Sequence, residues 1–205
     1  MLVSIFRVFL LSSEKNMNKI FTLIFLIILC NQVSAQDTLW FTKTGHLYFI
    51  SHTDIIDIDA NHYQTGSFLN TRTGEIVFTL LMKSFKFSLP LAEEHFNENY
   101  VESEKFPKAT FKGRILDYDA MKLFPDIDYK VIVEGDLTIH GVTSKVKEQG
   151  VLRRTGNEIR ANSKFTILLE TYNIKVPNIV EDKVAKEIPI DVEMKYEPYK
   201  KSGGK

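Results

Sequence analysis

The sequence predicts an all-β domain of about eight antiparallel strands with one short helix, closed into a barrel or packed as a two-sheet sandwich. Three observations carry this. Apolar residues fall on every second position in one segment after another, as they do where strand side chains point alternately to a dry and a wet face. Only Pro90–Tyr100 breaks that alternation for helical spacing. The connections are short and rich in turn residues, and neither an internal repeat nor a linker composition marks a second domain. A barrel of about eight strands either fills with its own side chains or holds one small ligand, and a sandwich has the same period. The pattern leaves barrel and sandwich open.

The elements follow in chain order. Gly45–Ala60 reads as a strand, a turn near Thr53-Asp54 and a second strand, with Leu47 and Phe49 on one face and Ile56 and Ile58 on one face of the next. His62–Gly74 is polar and turn-rich, which predicts a hairpin connection there. Gly74–Lys83 places Ile76, Phe78, Leu80 and Met82 together, and Ser84–Leu89 alternates again through Phe85 and Phe87. In Pro90–Tyr100, Leu91, His95 and Phe96 take helical spacing, and Glu93 and Glu94 suit a first helical turn. Phe106-Pro107 stops that helix, and Ala109–Tyr118 is another strand. After a turn at Pro125-Asp126, Tyr129–Val142 gives the cleanest alternation, with Val131, Val133, Leu137 and Ile139 on the dry face. Gly135 in mid-strand predicts a bend, and His140 a hydrogen bond that fixes the following turn. Thr143–Arg153 returns, and Thr155-Gly156-Asn157 is a turn. Glu158–Leu169 aligns Ile159, Ala161, Ser163, Phe165 and Ile167; Tyr172–Asp182, with Pro177, is a loop. Glu187–Glu197 then sets Ile188, Ile190, Val192, Met194 and Tyr196 inward.

The N-terminus is a targeting segment rather than part of the fold. Ile20–Leu29 is uncharged and ten residues long, half of the about 20 apolar residues a bilayer span needs. Lys19 precedes it, and Val33-Ser34-Ala35 forms a cleavage site, so cleavage is expected after Ala35. A signal starting at Met17 has ordinary proportions, so 1–16 is expected to be an over-called start, with a longer signal and an unusual leader as the alternative. Cys30, the single cysteine, leaves with the signal, unless it is the acylated residue of a lipoprotein; the large Leu29 before it argues against that. The organisation expected is a signal over 1–35, a barrel domain over 36–199 and a frayed tail over 200–205, the mature protein being periplasmic or secreted and without a membrane span.

The 26 basic and 26 acidic residues balance. The signal holds Arg7, Lys15, Lys19 and Glu14, which leaves 23 basic and 25 acidic residues in the remainder. Nucleic-acid binding needs a basic face, and none is supplied. Catalytic patterns are missing too: there is no His-Glu-x-x-His, no Gly-x-Ser-x-Gly and no mature cysteine. His46, His52, His62, His95 and His140 are scattered. Asp54, Asp57 and Asp59 sit among isoleucines without the glycine and final Glu of a Ca²⁺ loop. Glu93-Glu94, Glu102 and Glu104 read as capping and solvated groups. No enzyme, metal or cofactor is expected.

Two blocks, Glu104-Lys105-Phe106-Pro107-Lys108-Ala109-Thr110-Phe111 and Gly135-Asp136-Leu137-Thr138-Ile139-His140-Gly141-Val142-Thr143, together resemble the paired signatures of the YceI-like family, E-x-[FY]-P-x-A-x-F and G-x-L-T-[IL]-H-G-V-T. Phe49-x-Ser51, Gly74 before a strand, Phe96 ending the helix region, and Val184, Ile188, Ile190 and Val192 add to the match, which covers roughly 39–197. The resemblance implies a lipocalin-like antiparallel barrel with a helix-containing segment beside it. It also implies non-catalytic carriage of a long apolar chain, such as an isoprenoid quinone or a related polyisoprenoid lipid, in the bacterial periplasm. The residues expected to line such a barrel are Phe49, Ile56, Phe78, Leu80, Met82, Phe111, Val133, Leu137, Ile139, Phe165 and Ile190. Each would look the same in a plugged core, so a scaffolding or stress protein with a filled barrel is the alternative. A lipid hydrolase or isomerase would need polar groups inside, which the sequence does not display. Edge and loop surfaces leave homodimer formation open.

Overall fold

The computed structural model describes residues 38–118 and 123–200. The expected signal, its cleavage site, Cys30 and the tail beyond Lys200 lie outside the described residues. The strands among these residues are β1 (Leu39–His52), β2 (Asp57–Asn70), β3 (Glu75–Leu81), β4 (Lys86–Phe87), β5 (Lys108–Ile115), β6 (Asp128–Ile139), β7 (Val142–Thr155), β8 (Glu158–Leu168) and β9 (Glu187–Pro198). The order β1-β9-β8-β7-β6-β5-β3-β2 returns to its start because β1 also pairs with β2, and every pairing is antiparallel. Eight strands therefore close into a barrel, and the two-residue β4 adds to β2 at one rim. Closure removes the sandwich alternative and hides the edges that an open sheet would expose.

One seam is joined over half its length. The β7–β8 pairing runs from Gly150↔Ser163 to Thr155↔Glu158; beyond it, Val142–Gln149 and the end of β8 do not pair with each other. The short 3-10 turn Leu169–Tyr172 contacts both strands at that place, and Tyr172 is buried there.

The helical segment is α1 (Pro90–His95), continued by one wide turn in which the Val101 N–H reaches back to the Phe96 carbonyl. Pro90 occupies a first-turn position, where its missing N–H costs nothing. Glu93 in the first turn accepts from Lys86 Nζ (2.6 Å) and from the Phe87 N–H (3.3 Å), so it ties α1 to β4. The Lys86 hydrogen bond holds the Glu93 carboxyl below its usual range.

Three readings are corrected. β1 begins at Leu39, earlier than Gly45. Ser84–Leu89 keeps only Lys86–Phe87 as strand, because Met82–Ser84 turns as a 3-10 helix. The largest correction is His62–Asn70, read as turn-rich but forming the second half of β2. Its inward residues His62, Thr65 and Ser67 are polar and at most 1% exposed. Each is satisfied. His62 Nε2 donates to the Leu81 carbonyl (3.2 Å) and Nδ1 accepts from Thr65 Oγ1 (3.0 Å). Ser67 Oγ donates to the Val77 carbonyl (2.8 Å) and accepts from the Tyr196 hydroxyl (2.8 Å). Burial pushes the His62 pKa down and that of Tyr196 up to about 12. A buried polar group with its partners in place is tolerated in a core.

The end of the barrel away from α1 is the more closely packed. Trp40, Leu69, Ile115, Leu152, Ile159 and Tyr196 are each at most 4% exposed there.

Candidate functional site

The end of the barrel beside α1 is hollow. Inward side chains of the barrel strands, chiefly β1, β3, β6, β8 and β9, surround a cavity of about 480 Å³, and α1, the turn after it, Met82–Phe87 and the Val180–Val184 stretch add to its wall. That volume lies within the roughly 300–1,000 Å³ usual for small-molecule sites. Phe49, Phe85, Phe87 and Phe96 form one aromatic cluster in the wall, with centroids 5.0–6.0 Å apart. Offset and edge-on rings of this kind leave an adaptable apolar surface.

Nine of the eleven expected lining residues border this cavity: Phe49, Ile56, Phe78, Leu80, Met82, Leu137, Ile139, Phe165 and Ile190. Ile56 stands at its mouth in the β1–β2 turn, and Met82 reaches it from the 3-10 turn rather than from a strand. Phe111 and Val133 border a second, smaller chamber of about 90 Å³ deeper in the barrel. Phe78, Leu137 and Phe165 belong to both walls.

Sequence reasoning missed several wall residues. Ile174 and Val180 come from the segment read as loop, and Lys183 and Val184 follow it directly; no periodicity marks them. His95 and Leu91 had a signal, since they share a face of α1. The polar residues on the large cavity's wall are Ser51, His95, Tyr100 and Lys183. Ser51 Oγ already accepts the Ala185 N–H (2.8 Å), which fastens the loop to β1. Burial raises the Tyr100 pKa, so its hydroxyl stays a donor.

The remaining histidines are engaged elsewhere. His46 hydrogen-bonds Asn61 and His52 hydrogen-bonds Asp57, both through side chains. His140 is turned against the segment after α1 and the Leu169–Tyr172 turn instead of fixing its own turn. Its backbone is left-handed (φ 50°), and its ring meets the Tyr172 carbonyl (3.0 Å) and Glu102 Oε2 (2.8 Å). Phe106 stands edge-on to that ring at 4.6 Å. A Cβ on Gly141 would lie 2.5 Å from Phe106, and φ there is +73°, so both space and backbone require glycine. The two sequence blocks thus meet at Phe106 and His140-Gly141, where they hold the segment after α1 and the Leu169–Tyr172 turn to the barrel.

Among the described residues, no group of His, Cys, Asp and Glu could hold a metal ion. No helix among them is long and apolar enough to cross a membrane.

A family model described as the YceI-like domain matches residues 40–196. Comparison with curated proteins found no match. Among solved structures, the fold is similar to a polyisoprenoid binding domain from Saccharophagus degradans described as implicated in plant cell wall breakdown (17% identity, TM-score 0.70, 79% of this chain and 99% of that one). It is also similar to BcnA of Burkholderia cenocepacia (16% identity, TM-score 0.59, 74% and 95%). A third likeness is the YCEI protein of Campylobacter jejuni (14% identity, TM-score 0.58, 74% and 91%).

Proposed function

The chain belongs to the YceI-like domain family, and we propose that it binds a long-chain amphiphile, such as an isoprenoid quinone or another polyisoprenoid lipid, in the cell envelope and without catalysis. The observation that carries this reading is the cavity of about 480 Å³, walled by aliphatic and aromatic side chains. Water gains little from contact with such a wall, and a hydrocarbon chain that fills it removes apolar surface from water at about 25 cal/mol per Å². The chain would lie along the barrel axis, and the head group would meet His95, Tyr100 and Lys183. The Saccharophagus degradans domain, named for polyisoprenoid binding, supports the ligand class. The uncharged Ile20–Leu29 run supports export. The hollow end weighs against the alternative of a barrel filled by its own side chains.

The test is mass spectrometry of an organic extract of the purified mature protein. A stoichiometric lipid is expected. An empty extract, together with no uptake of an added isoprenoid quinone, would end this reading.

A further inference from the structure

The interior is two chambers, and Phe78, Leu137 and Phe165 stand between them, bordering both. Phe111 on β5 stacks on Phe78 of β3 with centroids 5.1 Å apart and planes 19° from parallel. Phe78 borders both chambers, whereas Phe111 borders only the deep one. Phe111 can lie on the wall behind Phe78 because the strands beneath it carry no side chain there. Gly113 on β5 and Gly135 on β6 are paired directly opposite each other. A Cβ built on Gly113 would come within 2.5 Å of Phe111 Cζ, and one built on Gly135 within 2.8 Å. The ring therefore lies flat against bare backbone. Beyond it, Ile76, Val131, Val133, Met194 and Tyr196 wall about 90 Å³ of space.

We propose that the deep chamber is a subsite for the terminal segment of a hydrocarbon chain, and that the Phe78–Phe111 stack, seated on the Gly113–Gly135 pair, is the stop that decides how long a chain the protein accepts. This rests on the lipid-binding reading above. A chain that fills the large chamber ends against the Phe78–Phe111 stack. A longer one must either turn Phe111 aside or leave its excess in water. Chain-length selection is thus set by whether the Phe78–Phe111 stack yields.

The experiment uses the mature protein after delipidation and linear primary alcohols from dodecanol to docosanol, read by displacement of a fluorescent apolar probe. In the wild type, affinity should rise about fourfold per added methylene and then level off at the length that fills the large chamber. Phe111→Leu keeps an apolar side chain but removes the stack, and its plateau should move several methylenes longer. Phe111→Ala should move it further if the variant folds, which a melting curve decides. Adding Ala161→Leu, which fills the deep chamber from β8, should return the plateau of Phe111→Leu to the wild-type length. An unmoved plateau in a folded Phe111→Leu protein that still binds the alcohols would overturn the subdivision and leave lipid binding intact. Failure of the wild type to bind an alcohol of any length would remove the lipid-binding reading and this one with it.

Discussion

The two ends of the barrel use the same eight strands to opposite effect. At the packed end, Ile159 and Tyr196 are fully buried and even the polar Ser67 is closed in by hydrogen bonds. At the hollow end, Phe49, Ile139, Phe165 and Ile190 point the same way along β1, β6, β8 and β9 yet stay only partly buried. They face the cavity instead of one another. The fold's tight packing and its capacity to hold something are therefore kept in separate places, and a change at one end should be felt differently from the same change at the other.

The largest expected effect contrasts two isoleucines on adjacent strands. Ile159→Ala at the packed end should cost about 2–5 kcal/mol, because it leaves a closed void. Ile190→Ala at the hollow end should cost less than half of that, since its side chain already borders open space. Urea unfolding midpoints compare the two, and equal losses would break the division between the ends. Gly135→Ala comes next. Its Cβ would lie 2.4 Å from the Lys112 carbonyl oxygen and 2.5 Å from Gly113 Cα, both backbone atoms. A loss near the upper end of about 1–3 kcal/mol is expected, measured in the same way. Ile190→Trp should reverse the ranking of the ends: it enters a cavity and not a packed core, so stability should change little. Lipid recovered in the organic extract should fall roughly tenfold, a difference of about 1.4 kcal/mol in binding.

The smallest effect is in acid. Burial lowers the His62 pKa from its ordinary value, so the folded protein holds the neutral ring. The unfolded chain binds the proton first, at about pH 6.5. His62 therefore contributes stability that is full above that pH and declines as pH falls from there toward the depressed folded pKa. His62→Gln should flatten this limb of a stability–pH curve while leaving the neutral-pH cavity unchanged. A limb of undiminished slope would mean that the acid loss originates elsewhere.

Most of the wall was readable because most of it obeys one rule. β6, β8 and β9 put aliphatic residues inside and charged ones outside, and a period of two is enough to find them. The second half of β2 obeys the reverse rule. His62, Thr65 and Ser67 are inside, while Phe68 is 37% exposed and clusters outside with Phe41 and Tyr199. Periodicity marks no dry face over His62–Ser67, because the compensating hydrogen bonds come from Leu81, Val77 and Tyr196, outside that segment. The division into two chambers was hidden for a related reason. It depends on Gly113 and Gly135 standing opposite each other, which is a matter of register. Gly135 read alone predicts a bend, whereas its pairing shows a seat for Phe111. The eleven lining candidates were chosen by alternation alone, which cannot tell the deep chamber of Phe111 and Val133 from the large one. The wall contributed by Ile174 and Val180–Val184 has no period to read.

The joining of β1 to β9 also governs the order in which the molecule can be made. Phe49 sits beside Ile190, and Trp40 beside Pro198, so the ring is completed by the opening and closing strands of the domain. During synthesis, β1 waits for the last of the strands to emerge. Contacts so far apart in the chain form slowly, since a long loop must be gathered before they reward it. Until then β1 and β8 each present an unpaired border of N–H and C=O groups, the state in which such a chain is most open to joining another copy of itself.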